Sequence, residues 1–425
     1  MSATISYTPH RGQAAIHADR HKHRFRIVCC GRRWGKTRFA AAELLDIAGE
    51  YGGLFAWIAP TYYIAERGET ALRAIAGDLI TFRGQNPVRG TLTGAGGRAE
   101  ILFLSADNPD TILGDGYDGV VLDEAARIER STWEMNIRPA LADKRGWGLL
   151  ISTPRARNWF FDIHTRGRDP SEPQYRSYSF PSNSNPYFPP EEFEEARRTT
   201  PSDIFRQEYE AEFLEDSAGV FRNLEACQRI DAATRTGDVV IGCDIAKHTD
   251  WTVLIAMDRK TGAALEIERF NQLDWPIQRE RIAAFTNRWS GLLVMDATGA
   301  GDPIYDDLKL VCPRIDPFKF TNHSKTELIQ RLIVAIEQRR VSWPAEWATL
   351  TDELRRYEYK VSANGTLTYN APGGYHDDCV IALALANRGR YPDSGGGPGG
   401  ARIITLGESD GRPRRMLPTG FDARR

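Results

Sequence analysis

Short apolar runs alternate with polar, helix-forming stretches along the first half of the chain. Five runs have the length and composition of strands: RIVCC, LFAWIAP, AEILFLSA, DGVVLDE and WGLLIST. Strand candidates separated by helical stretches are typical of α/β folds. The pattern predicts an α/β domain over residues 1–215.

A second series of strands follows a segment of weak periodicity and several turn-forming residues, 216–238, where we place the domain junction. Its strand candidates are VVIGCDIA, WTVLIAMD, AALEIERF and GLLVMDAT. A helix follows, for which Ser324 and Glu327 offer a capping box, and YHDDCVIALALANRG enters another that we expect Gly389 to end. This series predicts a second domain over 216–390, with a Gly/Pro-rich flexible tail at 391–425.

Composition narrows the class of protein. The 425 residues exceed what one core usually supports, which agrees with two domains. A net charge of −2 provides no global attraction for nucleic acid, so DNA contact would depend on local patches. The N-terminus lacks an apolar signal core, no apolar run approaches the ~20 residues of a membrane span, and the six cysteines lack zinc-site spacing. We expect a soluble intracellular protein with free thiols.

The segment CGRRWGKT (30–37) has the spacing of a phosphate-binding loop between a strand and a helix. In such loops backbone N–H groups point at phosphates, Lys36 would reach the β and γ oxygens, and Thr37 would ligate Mg²⁺. Cys30 stands at the usual position of the first glycine, but Gly31 beside it can supply the permissive backbone. The other loop residues expected around the nucleotide are Arg32, Arg33 and Gly35.

Acids at the end of the later strand GVVLD make a chance basic turn a poor explanation of the loop. Asp123 can hold the Mg²⁺ shell and Glu124 can polarise the attacking water. Thr153, at the tip of the next strand, could sense the γ-phosphate, although its sequence is also a common turn. Gln13 could bond adenine through its amide, or could be a surface glutamine.

Acidic residues also mark the strands of the second half. Asp244 lies in an apolar strand, Asp296 ends another, and Asp377 and Asp378 lie at a helix entry. Carboxylates are costly at such positions unless paired, and a divalent cation is a natural partner. Neighbouring strands lie ~4.8 Å apart, so such acids can converge on two metals ~4 Å apart that activate water for phosphodiester cleavage. The pattern favours a ribonuclease H-like nuclease.

Three further polar residues lie beside these acids. Lys247 and His248 could touch phosphate, and Asp302 could be a fourth acidic contributor. Each is equally well explained as an exposed turn residue.

The order of these motifs resembles the large subunit of tailed-phage terminases over about residues 10–390. The motifs are GRRWGKT, IAPTYYIAERG, SADNPDTILGDGYDGVVLDEAA, ISTPRARNWFF, CDIAKHTDW, MDATGAGDP and YHDDCVIALALA. The resemblance implies an α/β chain with an N-terminal P-loop ATPase domain of the ASCE type and a C-terminal RNase H-like nuclease domain. It also implies an enzyme that cuts concatemeric viral DNA and pumps double-stranded DNA into a procapsid.

The resemblance assigns cofactors, partners and residue roles. ATP with Mg²⁺ would serve the motor, and Mg²⁺ or Mn²⁺, as two ions, the nuclease. The partners would be the small terminase subunit and the portal, with the chain forming a homo-oligomeric ring when docked and a monomer in solution, in the cytoplasm of an infected bacterium. The implied ATPase residues are Lys36, Thr37, Asp123 and Glu124, with Thr153 for coupling and Arg32 for transition-state charge, and the implied nuclease residues are Asp244, Asp296 and one of Asp377 and Asp378. Arg138 is a candidate for an arginine supplied by a neighbouring subunit.

Local composition adds a candidate DNA-contacting segment and leaves two rival interpretations. Residues 155–168 mix arginines with Trp159, Phe160 and Phe161, which suits contact with a DNA backbone, although these aromatics could equally be core. A repair or restriction helicase–nuclease would share both chemistries but would need a second motor lobe. An assembly scaffold switched by nucleotide would need neither Glu124 nor the three acids.

Overall fold

The computed structural model describes residues 7–85, 87–113, 116–155, 157–214, 219–245, 250–298, 301–361 and 367–391. Lys247, His248 and the tail from 392 lie outside this part of the chain, and the side chain of Asp302 is not described.

Eight strands of the described chain form the first sheet, in the order β3-β4-β5-β2-β6-β7-β1-β8 once numbered along the sequence. Their bounds are β1 Phe25–Cys30, β2 Gly53–Ala59, β3 Ile80–Arg83, β4 Val88–Gly94, β5 Gly97–Ser105, β6 Gly119–Asp123, β7 Trp147–Ser152 and β8 Tyr175–Phe180. All pairings from β5 to β8 are parallel, whereas β3, β4 and β5 pair antiparallel. The five strands predicted from apolar runs are confirmed. The other three, β3, β4 and β8, escaped prediction because each has few buried positions and carries little apolar signal.

Helices and turns cover both faces of this sheet, which leaves one apolar core on each face. The helices are α1 Arg11–His17, α2 Lys36–Tyr51, α3 Tyr62–Ala76, α4 Arg138–Ala140, α5 Trp159–Arg166, α6 Pro190–Thr199 and α7 Ser202–Glu208. Trp159 and Phe160 are buried in one of these cores, and the Trp159 indole donates to the Ile128 carbonyl at 2.6 Å. These two aromatics are therefore core residues, and of the three in that segment only Phe161 remains a candidate for DNA contact.

The second sheet has a mixed topology, β12-β11-β10-β13-β14. The remaining strands are β9 Gln228–Arg229, β10 Val239–Asp244, β11 Thr252–Asp258, β12 Ala264–Phe270, β13 Leu292–Asp296, β14 Ile315–Phe318, β15 Trp343–Pro344, β16 Glu358–Val361 and β17 Leu367–Asn370. The pairs β10–β11 and β11–β12 are antiparallel, and β10–β13 and β13–β14 are parallel. The four strands predicted in this half are confirmed, with Asp244 and Asp296 as the last residues of neighbouring strands.

Helices α8 Trp275–Trp289, α9 Gly301–Lys309, α10 Asn322–Glu337, α11 Ala348–Arg356 and α12 Asp378–Arg390 complete this half. Two local predictions were wrong. The capping box of α10 is formed by Thr321 and Ser324, so the helix begins earlier than Ser324 and Glu327 suggested. Gly389 lies within α12, where a Cβ would stand 2.4 Å from Val240 and 2.7 Å from Val294. It is a close-packing position and does not end the helix.

The segment that the sequence marks as a junction is partly folded onto the second half. Val220, Phe221, Leu224 and Cys227 are buried in the same apolar cluster as residues of α10 and α12. All six cysteines are free and buried, as the sequence predicted. Within the described ranges, no helix is both long and apolar enough to cross a bilayer.

Candidate functional site

The phosphate-loop lysine lies within its own loop, at the start of α2. Gly35 precedes the helix with a φ of 96°, a conformation that suits glycine. Lys36 Nζ donates to the carbonyl oxygens of Cys30 and Gly31, both at 3.3 Å. Thr37 follows in the first turn of α2 and is half-buried. The loop therefore brings an ammonium and a hydroxyl together at a helix N-terminus, the arrangement that binds phosphate.

Gly31 has a different role from the permissive backbone that the sequence suggested. A Cβ at this position would stand 2.4 Å from the Ser182 hydroxyl and 2.4 Å from the Tyr209 carbonyl. Glycine is therefore required for close approach of the loop to the segments after β8 and α7. Beyond it, Arg33 has a φ of 60°, and its carbonyl accepts from the Asn185 amide at 2.7 Å.

Gln13 is buried against the phosphate loop and is not a surface glutamine. Its Nε2 donates to the Gly35 carbonyl at 3.3 Å, and its Oε1 accepts from the His10 backbone N–H at 3.1 Å. The hydroxyl of Tyr7 donates to the same oxygen at 3.2 Å. The amide thus links α1 to the loop.

The acidic strand end faces the lysine. Asp123 is the last residue of β6 and is buried, which with the neighbouring Glu124 carboxylate raises its pKa to about 7, whereas Lys36 acts in the opposite direction. Glu124 turns out of the strand with a φ of 51°, a left-handed conformation that is uncommon outside glycine and clusters at functional sites. Ser152, the last residue of β7, accepts from the Ala126 N–H at 3.2 Å, and Thr153 is buried directly after it. These residues meet at the carboxyl edge of the parallel strands, where α/β sheets bind ligands.

Arg32 and its neighbours form a cluster that the sequence did not predict. Arg32 Nε donates to Glu208 Oε2 at 2.5 Å. Burial lowers the pKa of Arg155, as do the nearby charges of Arg127 and Arg32, while Glu208 and Glu124 raise it. Glu208 carries no sequence signal, since it is one of many acids around α6 and α7.

The four aspartates of the second half meet at one edge of the second sheet. In the parallel pair of strands β10 and β13, the last paired residues are Cys243 and Met295. Asp244 and Asp296 directly follow them. Helix α12 crosses β10 so closely that a Cβ on Gly242 would stand 1.9 Å from the Ala382 carbonyl. This contact brings the N-terminus of α12, with Asp377 as N-cap and Asp378 as first residue, beside Asp244.

These carboxylates lie close enough to one another to change the pKa values of Asp244 and Asp378. Burial and the carboxylates of Asp378, Asp377 and Asp296 raise the pKa of Asp244 well above its usual value, and Lys325 opposes them. Lys325 Nζ lies 3.2 Å from Asp377 Oδ2. Asp378 Oδ2 is buried without a hydrogen-bond partner in the described part of the chain, and burial raises the Asp378 pKa to about 6.

A divalent cation fits these carboxylates by their chemistry. An orphaned buried carboxylate oxygen beside three further acids is the hard-oxygen donor set that Mg²⁺ and Mn²⁺ prefer. Yet no three acidic, histidine or cysteine side chains of the described residues are arranged closely enough to enclose an ion. The pKa of Asp244 and the orphaned oxygen report proximity, so the carboxylates are neighbours that would have to close around a metal.

Comparisons with known proteins decide the family. The model "Terminase large subunit, T4likevirus-type, N-terminal" matches residues 27–227, and "Terminase RNaseH-like domain" matches residues 241–387. The terminase large subunit of Thermus virus P23-45 is 32% identical over 429 residues, covering 90% of this chain and 87% of that protein. The chain belongs to the terminase large-subunit family.

Other terminases agree with this assignment. The large subunit of Escherichia phage T5 is 31% identical over 229 residues, which cover 52% of each chain. The structure of a large terminase from a thermophilic bacteriophage is 13% identical, covers 89% of this chain and 99% of its own, and has a TM-score of 0.54, a likeness of fold.

Membership confirms the expected fold class, an α/β ATPase domain followed by an RNase H-like nuclease domain. The protein is a phage DNA-packaging enzyme with ATPase and nuclease activity, and its partners are DNA and the packaging machinery. The helicase–nuclease and scaffold alternatives are not favoured.

Arg138, the candidate for an arginine supplied to a neighbouring subunit, lies far from its own phosphate loop. Its guanidinium stacks over the ring of Phe25 at 4.9 Å, at the start of β1, whereas the loop follows the end of that strand.

Two polar residues near the four aspartates of the second sheet were not predicted. His376 Nδ1 lies 3.6 Å from both Asp250 Oδ1 and Asp378 Oδ2. The position of His376 directly before the two acids was a signal that could have indicated it. Nothing local distinguished Asp250 from an ordinary turn residue.

Proposed function

We propose that this terminase large subunit hydrolyses ATP at the loop 30–37 and cleaves DNA at the edge of the second sheet where four aspartates meet. The observation that carries the proposal is the convergence of Asp244 with Asp296, Asp377 and Asp378, which lie far apart in sequence and raise the pKa of Asp244. Carboxylates that repel one another and are partly removed from water are costly unless a cation neutralises them, which a divalent metal ion would do here.

In the motor site, the loop N–H groups and Lys36 would bind the phosphates. Gln13, whose amide donates to the Gly35 carbonyl, would lie on the adenine side of the loop. Thr37 and Asp123 would hold Mg²⁺, which neutralises charge developing on the phosphates. Glu124, turned out of β6, would orient the attacking water and accept its proton. Arg32 would stabilise transition-state charge, and Thr153 would sense the γ-phosphate.

In the nuclease site, Asp244, Asp296 and Asp378 are the best candidates to hold Mg²⁺ or Mn²⁺. Asp378 is preferred over Asp377 because its Oδ2 is buried without a hydrogen-bond partner among the described residues and lies 3.6 Å from His376 Nδ1, whereas Asp377 contacts the Lys325 ammonium at 3.2 Å. Two such ions would activate water and stabilise the leaving oxygen. Asp377 would contribute negative charge and orient Lys325.

The finer biology follows the same assignment. The chain would act in the cytoplasm of an infected bacterium, as a ring docked on the portal of a procapsid, with a small terminase subunit presenting DNA. Arg138 would reach a neighbouring subunit. Residues 1–215 would be the motor domain, 216–390 the nuclease domain and 391–425 a tail.

Linearisation of supercoiled plasmid tests this proposal. Wild type, Asp244→Asn and the control Asp231→Asn, an exposed loop acid, are incubated with Mg²⁺ or Mn²⁺, and ATP turnover is measured on the same samples. We expect cutting by wild type and the control only, with ATP turnover by all three. Cutting by Asp244→Asn at the wild-type rate would contradict the assignment.

A further inference from the structure

The phosphate-loop residue Arg32 is held by contacts to both its main chain and its side chain. Its backbone N–H donates to the carbonyl of Glu208 at 2.7 Å. Its own carbonyl accepts from the Ser182 hydroxyl at 2.6 Å, and its Nε donates to Glu208 Oε2 at 2.5 Å. Arg32 is therefore fixed from Glu208, at the end of α7, and from Ser182, after β8.

The contact is built into the way the loop packs. Ser182 N–H donates to the Tyr209 carbonyl at 2.7 Å, which ties the two segments together. Both segments press against Gly31, where no side chain would fit. The position of Glu208 relative to Arg32 thus follows from backbone packing and not from a flexible surface ion pair.

The side chain of Glu208 is 8% exposed, whereas the side chain of Arg32 is 28% exposed. A buried carboxylate is costly unless a charge and hydrogen bonds compensate it, and Arg32 supplies both. The same carboxylate favours the charged form of Arg155, which burial disfavours. Glu208 is therefore a shared counter-charge for two arginines beside the phosphate loop.

We propose that Glu208 is a positioning residue for ATP hydrolysis, acting through Arg32; this rests on the role proposed for Arg32 above. The carboxylate bonds Nε, the nitrogen nearest the stem, and so fixes the plane of the guanidinium, whose Nη groups would donate to the transferred phosphoryl group. Donors oriented before the reaction need no reorganisation when charge develops on the transferred phosphoryl group. The effect belongs to turnover more than to ATP binding, because Lys36 and the loop N–H groups bind the ground state.

Steady-state ATPase kinetics of variants test this inference. The set comprises Arg32→Ala, Glu208→Ala, Glu208→Gln and the double Arg32→Ala/Glu208→Ala. Glu212→Ala is the control, since this acid follows α7 but pairs with Arg206 at 2.6 Å. Thermal melting of each variant is recorded, and the rates are expressed per folded protein.

We expect Glu208→Ala to lower kcat about tenfold or more with KM for ATP changed less than about threefold. Glu208→Gln should retain more of kcat, because an amide oxygen still accepts from Nε. The double variant should be no slower than Arg32→Ala alone, because residues that act through one another are not additive. Glu212→Ala should match wild type.

Each contrary outcome has one meaning. If Arg32→Ala is slow but both Glu208 variants turn over at the wild-type rate, the inference is overturned and the proposed role of Arg32 stands. Additive losses in the double variant would likewise overturn it, since Glu208 would then act independently. If Arg32→Ala itself turns over normally, the proposed role of Arg32 fails and the inference fails with it. Should Glu208→Ala not fold, the cycle is completed with Glu208→Gln.

Discussion

Glu337, the last residue of α10, caps the N-terminus of α7 through Ser202. The Ser202 N–H donates to Glu337 Oε2 at 3.1 Å, and its hydroxyl donates to Oε1 at 2.7 Å. Helix α7 has no side-chain cap of its own, because Pro201 precedes it. Next to this contact, Gln338 Nε2 donates to the Arg198 carbonyl at 2.7 Å. Helix α7 of the first half, which ends at Glu208, is thus stabilised by a contact with α10 of the second half.

Removal of this cap should destabilise the protein. Glu337→Ala leaves the Ser202 N–H and hydroxyl without a carboxylate, and the loss of a helix cap costs about 1 kcal/mol. The matched control is Glu194→Ala on α6, whose contact with Arg197 is exposed and 3.6 Å long and so contributes little. Denaturant titration measures both. Equal midpoints for the two variants would show that the cap does not stabilise α7.

Gly242→Ala should impair the nuclease more than the motor. A Cβ there would stand 1.9 Å from the Ala382 carbonyl and would push α12, which carries Asp378, away from β10. Overpacking of this kind costs roughly 1–3 kcal/mol. We expect plasmid cutting to fall sharply while ATP turnover persists. Gly237→Ala is the control, since a Cβ there meets nothing within 4 Å among the described residues; equal cutting by both variants would refute the packing argument.

His164 should make the protein sensitive to mild acid. Burial, together with Arg168, lowers the pKa of His164 from 6.5 to about 4. The unfolded chain therefore takes up a proton as pH falls below 6.5, whereas the folded protein stays neutral at this residue until about pH 4. Stability is complete above pH 6.5 and is lost as pH falls toward 4, by up to about 3 kcal/mol.

Unfolding free energies of wild type and His164→Gln across this pH range provide the check. The variant should show a flatter profile, although its own stability is lower because the ring packs on Phe213 at 5.0 Å. His21→Gln, an exposed histidine, should keep the wild-type slope. An unchanged slope in His164→Gln would mean that another group controls the acid response.

Glu124→Gln should bind ATP normally and lose turnover by ~10²-fold or more, because the amide cannot accept a proton from water. The left-handed backbone at this residue keeps its side chain out of the strand register, and the substitution preserves that shape. Nucleotide binding by fluorescence and turnover by phosphate release separate the two effects. Glu129→Gln, an exposed acid nearby, serves as the control. Undiminished turnover would remove Glu124 from the catalytic role.

Local sequence was sufficient to predict the strands that end in the candidate site acids. Each apolar run that ends in Asp123, Asp244 or Asp296 predicts a strand and places the acid at its end. The loop at Lys36 is equally local, since its spacing alone predicts the turn between β1 and α2. Such signals are readable because strand propensity and loop geometry depend on near neighbours.

Only the tertiary structure decided which distant groups meet. Glu208 and Arg32 are 176 residues apart along the chain, and Ser202 and Glu337 are 135 apart. No local pattern predicted either hydrogen bond. Gly389, taken from sequence as a helix end, is a packing position because β10 and β13 lie beneath it. The sequence by itself determined the strands with strong apolar runs and the acids at their ends, but not weakly apolar strands such as β4 and β8. Long-range packing determined which charges are buried together, because that energy depends on neighbours that are far apart along the chain.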